Sequence, residues 1–503
     1  MKDQKKSGAL ISYLNIVLGM VSNFLLIPMM IIALADVEYS VYKIMQSLAG
    51  PLIMLNLGIS TIAARAVVRY RSGEHGDRKE KENTLAMTFG ISCIMALAVL
   101  VLGLLICGRI PALYGNTYDA AMLEKARKIF LIFAGTMAVR IVNDTFKGCI
   151  LGNERFLCFY GESAVQNVLH FALIAILLKN GADAVAVAMV DLVICLGLLL
   201  FNALYTCLRL SERFRLEHLD YGELKQIALF SVSILLQAIV NQVNNNLDVV
   251  ILGMVVTDKT VITMYASALS VYAIYNSVMS VFVNIYFPKA ARMVMNSSTG
   301  EELTDFVIGP GRFQAVLAVG ILTAFSLFGK DFIGVWIGSR YESAYYIALM
   351  LMIPVTVPLV QNTCLSILDA QLKRLFRSVT LVIMALINVA VSLVLIRFLG
   401  FWGAALGTVV SLVLGHVVIM NVYYHRVLGL NVVRMFREIF RGILPAGMVS
   451  GLCCLPLCFL PGEGIVPFLG ECGVFLLVYA GALWCLGLNP GEKAALKAMK
   501  KYF

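Results

Sequence analysis

In the stretch 226–253 of this 503-residue chain, Gln237, Asn241, Asn244 and Asp248 recur at spacings i, i+4, i+7 and i+11. At about 100° per residue a helix would bring them within about 60° of one another, with Asn245 at the margin. Amides in such a stripe can hydrogen-bond a polar passenger, and the Asp248 carboxylate can take up and release a cation. A second set, Arg140, Asp144 and Lys147, is spaced i, i+4, i+7. The Arg140 guanidinium offers a bidentate fork suited to an anion such as a phosphate, and Asp144 is a second carboxylate able to couple to a cation. Tyr265, Tyr272 and Asn276, with Tyr275 beside them, combine flat rings with an amide on one face, which suits a sugar. Lys43 and Gln46, and Asn23 in the preceding segment, are further polar residues able to contribute. Each set has a competing reading as interhelical hydrogen bonding, and Arg140 and Asp144 could simply neutralise each other. Asp191, His170 and His416 read as single polar residues bonding neighbouring helices rather than as a proton relay.

These groups attract attention because the segments holding them are otherwise apolar. About fourteen stretches, from 9–35 and 41–64 through 226–253 to 465–488, reach the roughly 20 apolar residues needed to cross ~30 Å of hydrocarbon. Backbone N–H and C=O groups in lipid must be satisfied within their own segment, so the stretches are expected to be helices. The composition, 60% hydrophobic and 14% charged, cannot clothe soluble domains of this total length in polar surface. The expected fold class is therefore an all-α polytopic membrane protein with fourteen transmembrane helices.

The net charge of +10 reads as topology rather than as affinity for nucleic acid. Most Lys and Arg fall in alternate loops, including Arg65 to Lys81, Arg209 to Lys225, Lys289 to Arg312 and Arg426 to Arg441. By the positive-inside rule that side is cytoplasmic, and an even number of spans puts both termini there. The excess also favours contact with anionic membrane lipids. The apolar run Ala9–Ala35 is too long for a signal-peptide core and reads as a first, uncleaved helix. The twelve Cys are scattered through helices without CxxC pairs, which suits packing rather than disulfides or a metal site.

The first six segments recur in the next six at an offset of about 220 residues. Val142–Thr145 answers to Val360–Thr363, Gly181–Ala188 to Gly400–Gly407, and Ala64-Arg65 with Ser72–Glu74 to Ala291-Arg292 with Thr299–Glu301. An even-numbered repeat keeps its orientation in the membrane, which predicts lobes 1–220 and 221–430 related by an axis along the membrane normal. Residues 431–503 then form an appended helix pair with a basic tail. The longer loops carry no phosphate-binding glycine loop, nucleotide motif or paired-carboxylate site. The chain is therefore not expected to be an enzyme or to need a cofactor.

Two six-helix lobes with an added pair, basic motifs after the second and eighth helices, the Asn-rich seventh helix running into Leu247–Gly253, and the turn Leu151–Arg155 together resemble a known group. It is the polysaccharide-transporter, or O-antigen flippase, family of the multidrug/oligosaccharidyl-lipid/polysaccharide (MOP) exporter superfamily, and the resemblance covers the whole chain. It implies a flippase that moves a polyprenyl-pyrophosphate-linked glycan from the cytoplasmic to the outer leaflet of a bacterial inner membrane by alternating access, driven by an H⁺ or Na⁺ gradient. Substrate contacts would then come from Arg140, Lys43, Asn241, Asn244, Asn245, Tyr265, Tyr272 and Asn276, coupling from Asp248 and Asp144, and a cytoplasmic gate from Arg65 and Arg292. Expected partners are membrane lipids, a polysaccharide polymerase and glycosyltransferases. A multidrug exporter and a peptidoglycan-precursor (lipid II) flippase of the same superfamily are the alternatives.

Overall fold

A computed structural model describes residues 2–56, 58–71, 78–218, 221–222, 247–256, 258–280, 289–290, 292–294, 296, 298–371, 374–459 and 464–499. No strand occurs among them. Twelve of the described helices are long and apolar enough to cross a membrane. The first of these, Leu14–Arg71, takes in most of 9–35 and all of 41–64, because two helices meet within α1 (Lys2–Ala49) at Ala35. Ala35 makes the kink with φ 55, a conformation that costs a residue bearing a Cβ about 1–3 kcal/mol. The expected segment 226–253 lies mostly outside the described residues.

The outward faces suit lipid. Leu97, Leu104, Leu386 and Leu477 are 62–77% exposed, which in water would be a large apolar patch and in hydrocarbon carries no penalty.

The chain divides into two compact units, Met1–Thr263 and Met264–Phe503. In the first, α1 leads through a 3₁₀ segment (Gly50–Asn56) to α2 (Ile59–Arg71), then α3 (Arg78–Tyr114), α4 (Ala120–Gly152), α5 (Phe156–Lys179) and α6 (Ala184–Leu204). Helix α4 is central, touching α1, α2, α3, α5 and α6. Its tightest crossing is with α2. A Cβ on Gly148 would lie 2.7 Å from Ala63 Cβ, and one on Gly152 would lie 2.7 Å from Val67 Cβ. Two glycines four residues apart thus let the backbones meet, the small-residue packing that replaces hydrophobic driving force between helices in lipid.

Helix α7 (Lys259–Ser280) crosses from the first unit into the second. The second unit continues with α8 (Gly300–Ile337), α9 (Ser343–Val360), α10 (Thr363–Ala370), α11 (Arg374–Leu399), α12 (Phe401–Leu412) and α13 (Met420–Leu428). Next come α14 (Val432–Phe440), α15 (Ile443–Cys454), α16 (Ile465–Ala482) and α17 (Pro490–Met499). Helix α8 starts at a capping box, in which Thr299 and Glu302 satisfy each other's backbone N–H groups. Around α8 gather α14, α15 and α16. The short α14 turns Met435 and Ile439 inward, while its Arg434 reaches Asp305 at 2.7 Å.

One residue holds this assembly at one end. Arg312 was expected among the loop cations, yet it sits in α8 and is only 3% exposed. Its Nε donates to Glu492 Oε1 at 2.7 Å and Nη2 to Glu492 Oε2 at 3.1 Å. Nη1 donates to the carbonyls of Glu438 and Arg441, and Nη2 also to that of Gly487. The carbonyls come from the end of α14 and from the π turn that closes α16, where the regular helical bonding pattern lapses. One guanidinium therefore ties α8, α14, α16 and α17 together, and an Arg fork can do this where an ammonium cannot.

Two outcomes follow from these contacts. Gly148→Val should lower stability by about 1–3 kcal/mol, the usual cost of overpacking, read as a reduced Tm of the purified protein in detergent. An unchanged Tm would mean that the α2–α4 crossing can open freely. At the Arg312 clamp, partial burial works against ionisation of Glu492, but the Arg312 hydrogen bonds hold its carboxyl below the ordinary value of 4.5. A carboxyl with a depressed folded value stabilises fully above the unfolded value and loses that contribution as pH falls through the folded one. Tm should therefore drop on acidification below about pH 4.5 more steeply in the wild type than in Glu492→Gln.

Candidate functional site

The first unit collects charge around α4. Lys147, one turn from the end of that helix, meets Glu162 of α5 at 2.5 Å, and the Glu162 side chain is only 2% exposed. The contact is ionic rather than a well-aligned hydrogen bond, since neither Glu162 oxygen has a hydrogen-bond partner. Asp144 accepts a short hydrogen bond from Asn56 Nδ2. Asn56 ends the 3₁₀ segment that opens with Gly50-Pro51. Proline has no N–H to donate, so the helix loosens there and its last residue is free to turn its amide toward α4.

Arg140 is placed differently. Its Nε donates to Cys195 Sγ of α6 at 3.4 Å. It lies within electrostatic reach of Asp191 and Asp144, but no carboxylate among the described residues comes within ion-pair distance. The mutual neutralisation of Arg140 and Asp144, open from sequence, is therefore not what this geometry presents. Asp191 instead faces His170 of α5, Nε2 to Oδ1 at 3.4 Å. From α1, Lys43 donates to Gln46 Oε1 at 3.2 Å and lies near the rings of Tyr39 and Tyr42, 5.7 and 5.9 Å from their centroids. Lys43 too is without a carboxylate in ion-pair range among the described residues, and it too feels the charge of Asp191.

Three cations (Lys43, Arg140, Lys147) and three carboxylates (Asp144, Glu162, Asp191) thus share the interior of one unit. Lys147 is consumed by Glu162, and Asp144 is engaged by an amide. What is left is Arg140 and Lys43 with Asp144 and Asp191, equal in number of charges, but with neither cation held in an ion pair among the described residues. Cations not engaged in an ion pair can turn to an anion, because a charge taken out of water needs compensation close by.

The remaining expected residues are dispersed. Gln237, Asn241, Asn244 and Asn245 lie outside the described residues. Asp248, in the helix over 247–255, is 5% exposed. In α7, Tyr265 is fully enclosed, while Tyr272 and Asn276 are partly exposed and Asn276 Nδ2 donates to the Tyr272 carbonyl at 3.0 Å. The neighbouring Tyr275 hydroxyl pairs with Thr356 Oγ1 of α9 at 2.7 Å. Arg65 and Arg292 are both exposed, and Asn23 is exposed on α1. Sequence reasoning assigned no role to Cys195 beyond packing, and none to Glu162. Glu162 carried a legible signal: a carboxylate six residues into an apolar helix is costly without a partner.

A model of the polysaccharide biosynthesis protein family matches residues 75–346. The fold is similar to that of the lipid II flippase MurJ in an inward closed conformation, with a TM-score of 0.73 at 14% identity, covering 94% of this chain and 97% of that one. It is also similar to a multidrug resistance MATE family transporter of the MOP superfamily in an inward-facing conformation, with a TM-score of 0.61 at 13% identity over 85% of this chain and 99% of the other. A eukaryotic MATE transporter aligns with a TM-score of 0.57 at 15% identity, over 87% and 99% of the two chains. No curated protein sequence matches the chain.

The geometry separates a structural cation from an available one. Lys147→Ala strands the Glu162 carboxylate and should destabilise by about 3–5 kcal/mol, visible as a large loss of Tm or of folded yield. Arg140→Ala breaks no ion pair and should leave Tm within a few degrees of the wild type. Equal losses in both variants would reduce Arg140 to a packing role.

Proposed function

Because the chain belongs to the polysaccharide biosynthesis protein family, we propose that it is a flippase for a polyprenyl-pyrophosphate-linked oligosaccharide. It moves this lipid from the cytoplasmic to the outer leaflet of a bacterial inner membrane by alternating access, with both termini in the cytoplasm. The observation that carries this reading is the placing of Arg140 and Lys43 on adjoining helices of the first unit, neither within ion-pair distance of a carboxylate among the described residues. A pyrophosphate diester brings two negative charges into a low-dielectric space, and two cations of this kind offset them. Arg140 would grip the pyrophosphate oxygens in its planar fork, with Lys43 as a second point charge. Asn241, Asn244, Asn245, Tyr272 and Asn276 would contact sugars, with Tyr265 joining them on a change of conformation. Asp248 and Asp144 are the carboxylates proposed for coupling to an ion gradient, and Arg65 and Arg292 the proposed cytoplasmic gate. Glycosyltransferases would supply the cargo and a polymerase would take it up.

A lipid II flippase uses the same anion chemistry, and the likeness to MurJ is a reason to keep that cargo as a second reading. Cargo choice is tested by reconstituting the protein in vesicles carrying either fluorescent lipid and measuring its exposure to an impermeant quencher. Faster exposure of the oligosaccharide lipid than of lipid II supports the first reading, and the reverse order supports the second. Efflux of a cationic dye with no movement of either lipid would overturn both. In the same assay Arg140→Lys should retain only part of the activity and Arg140→Ala about one hundredth or less, as expected when a buried charged contact worth about 3 kcal/mol is lost. Wild-type rates in the double variant Arg140→Ala/Asp144→Ala would remove Arg140 from the substrate site.

A further inference from the structure

The imidazole of His170 faces Asp191 at 3.4 Å, and Asp191 is the carboxylate whose charge both Arg140 and Lys43 feel. Other charged and titratable groups lie around the pair. On α1, Tyr42 and Lys43 lie within electrostatic reach of Asp191, and Gln46 Oε1 accepts from the Lys43 ammonium. On α4, Asp144 is engaged by Asn56, and Lys147 by Glu162 of α5. On α6, Cys195 Sγ accepts a hydrogen bond from Arg140 Nε. The His170 and Asp191 side chains are 24% and 13% exposed.

We propose that the His170–Asp191 pair is a protonation switch that sets how strongly Arg140 and Lys43 hold an anion. The proposal rests on the anion site argued above and adds a regulator to it. When His170 is neutral, Asp191 carries an uncompensated negative charge that offsets part of the field of the two cations. When His170 takes up a proton on its free electron pair, the imidazolium neutralises Asp191 and the cations act undiminished. Imidazole is the side chain that proteins most often use to exchange a proton near neutral pH. The coupling is reciprocal: if protonation strengthens anion binding, anion binding must draw in a proton. No bond is made or broken except the N–H bond of the imidazolium.

The test uses the full-length purified protein in detergent and UDP-glucose, a soluble pyrophosphate diester whose two charges do not change between pH 5.5 and 7.0. Isothermal titration at both pH values, in buffers of different ionisation heat, gives the affinity and the number of protons taken up. The wild type should bind roughly tenfold more tightly at pH 5.5 and absorb up to one proton on binding. His170→Gln should bind with the same affinity at both pH values and absorb no proton. Asp191→Asn, which removes the negative charge permanently, should bind at the tight level at both. Should either variant fold poorly, the other still decides. A merely structural pair would lower Tm in both variants and leave the wild-type pH slope in place, and that slope in His170→Gln would overturn the switch. If the wild type binds UDP-glucose no better than Arg140→Ala at either pH, the anion site itself falls, and the switch with it. Pyrophosphate binding that depends on Arg140 but not on pH leaves the site standing and removes only the switch.

Discussion

The constraint on which the first unit depends is the cost of ionised groups where water is scarce. Helix α4 carries three charges within two turns, and each needs a compensating group from another helix. Compensation takes three forms: an ion contact for Lys147, an amide for Asp144, and for Arg140 a thiol with carboxylates at longer range. These partners come from α5, from the 3₁₀ segment ahead of α2, and from α6. The positions of those elements are thereby tied to α4, and the close crossing at Gly148 and Gly152 keeps the same helix in register with α2. Packing and electrostatics are thus solved around a single helix, and Arg140 and Lys43, in no ion pair among the described residues, are the part with chemistry to spare.

The second unit meets the same constraint in another way. Arg312 is also buried, but its donors are shared among one carboxylate and three backbone carbonyls. No field is left over for a passenger. Where every proton of a guanidinium has an acceptor, the residue is architectural. Arg140, with one soft acceptor, is not so occupied.

Hydropathy made the spanning helices legible, because lipid demands long apolar segments. The isolated charges on α4 could also be read, since i, i+4 spacing is a local property. Pairing could not be read. Glu162 and Lys147 are fifteen residues apart on different helices, His170 and Asp191 likewise face each other across α5 and α6, and no periodicity links such positions. The kink at Ala35 escaped for a related reason: the residue there is neither Gly nor Pro, so nothing local announces a positive φ. Arg312 was assigned to a loop because hydropathy treats a lone Arg beside an apolar run as a boundary. Its hydrogen-bonding partners are what carry it inside.

The clamp at Arg312 also has a consequence in time. Its carboxylate partner lies 180 residues later in the chain, and its carbonyl partners come from the segments between. A ribosome making this protein releases α8 long before any of these acceptors exists. During that interval the guanidinium must stay with water or lipid phosphate, so α8 cannot take its final depth until translation has passed Glu492. The second unit is therefore completed from its end, and the appended helices act as the keystone of the helices made before them.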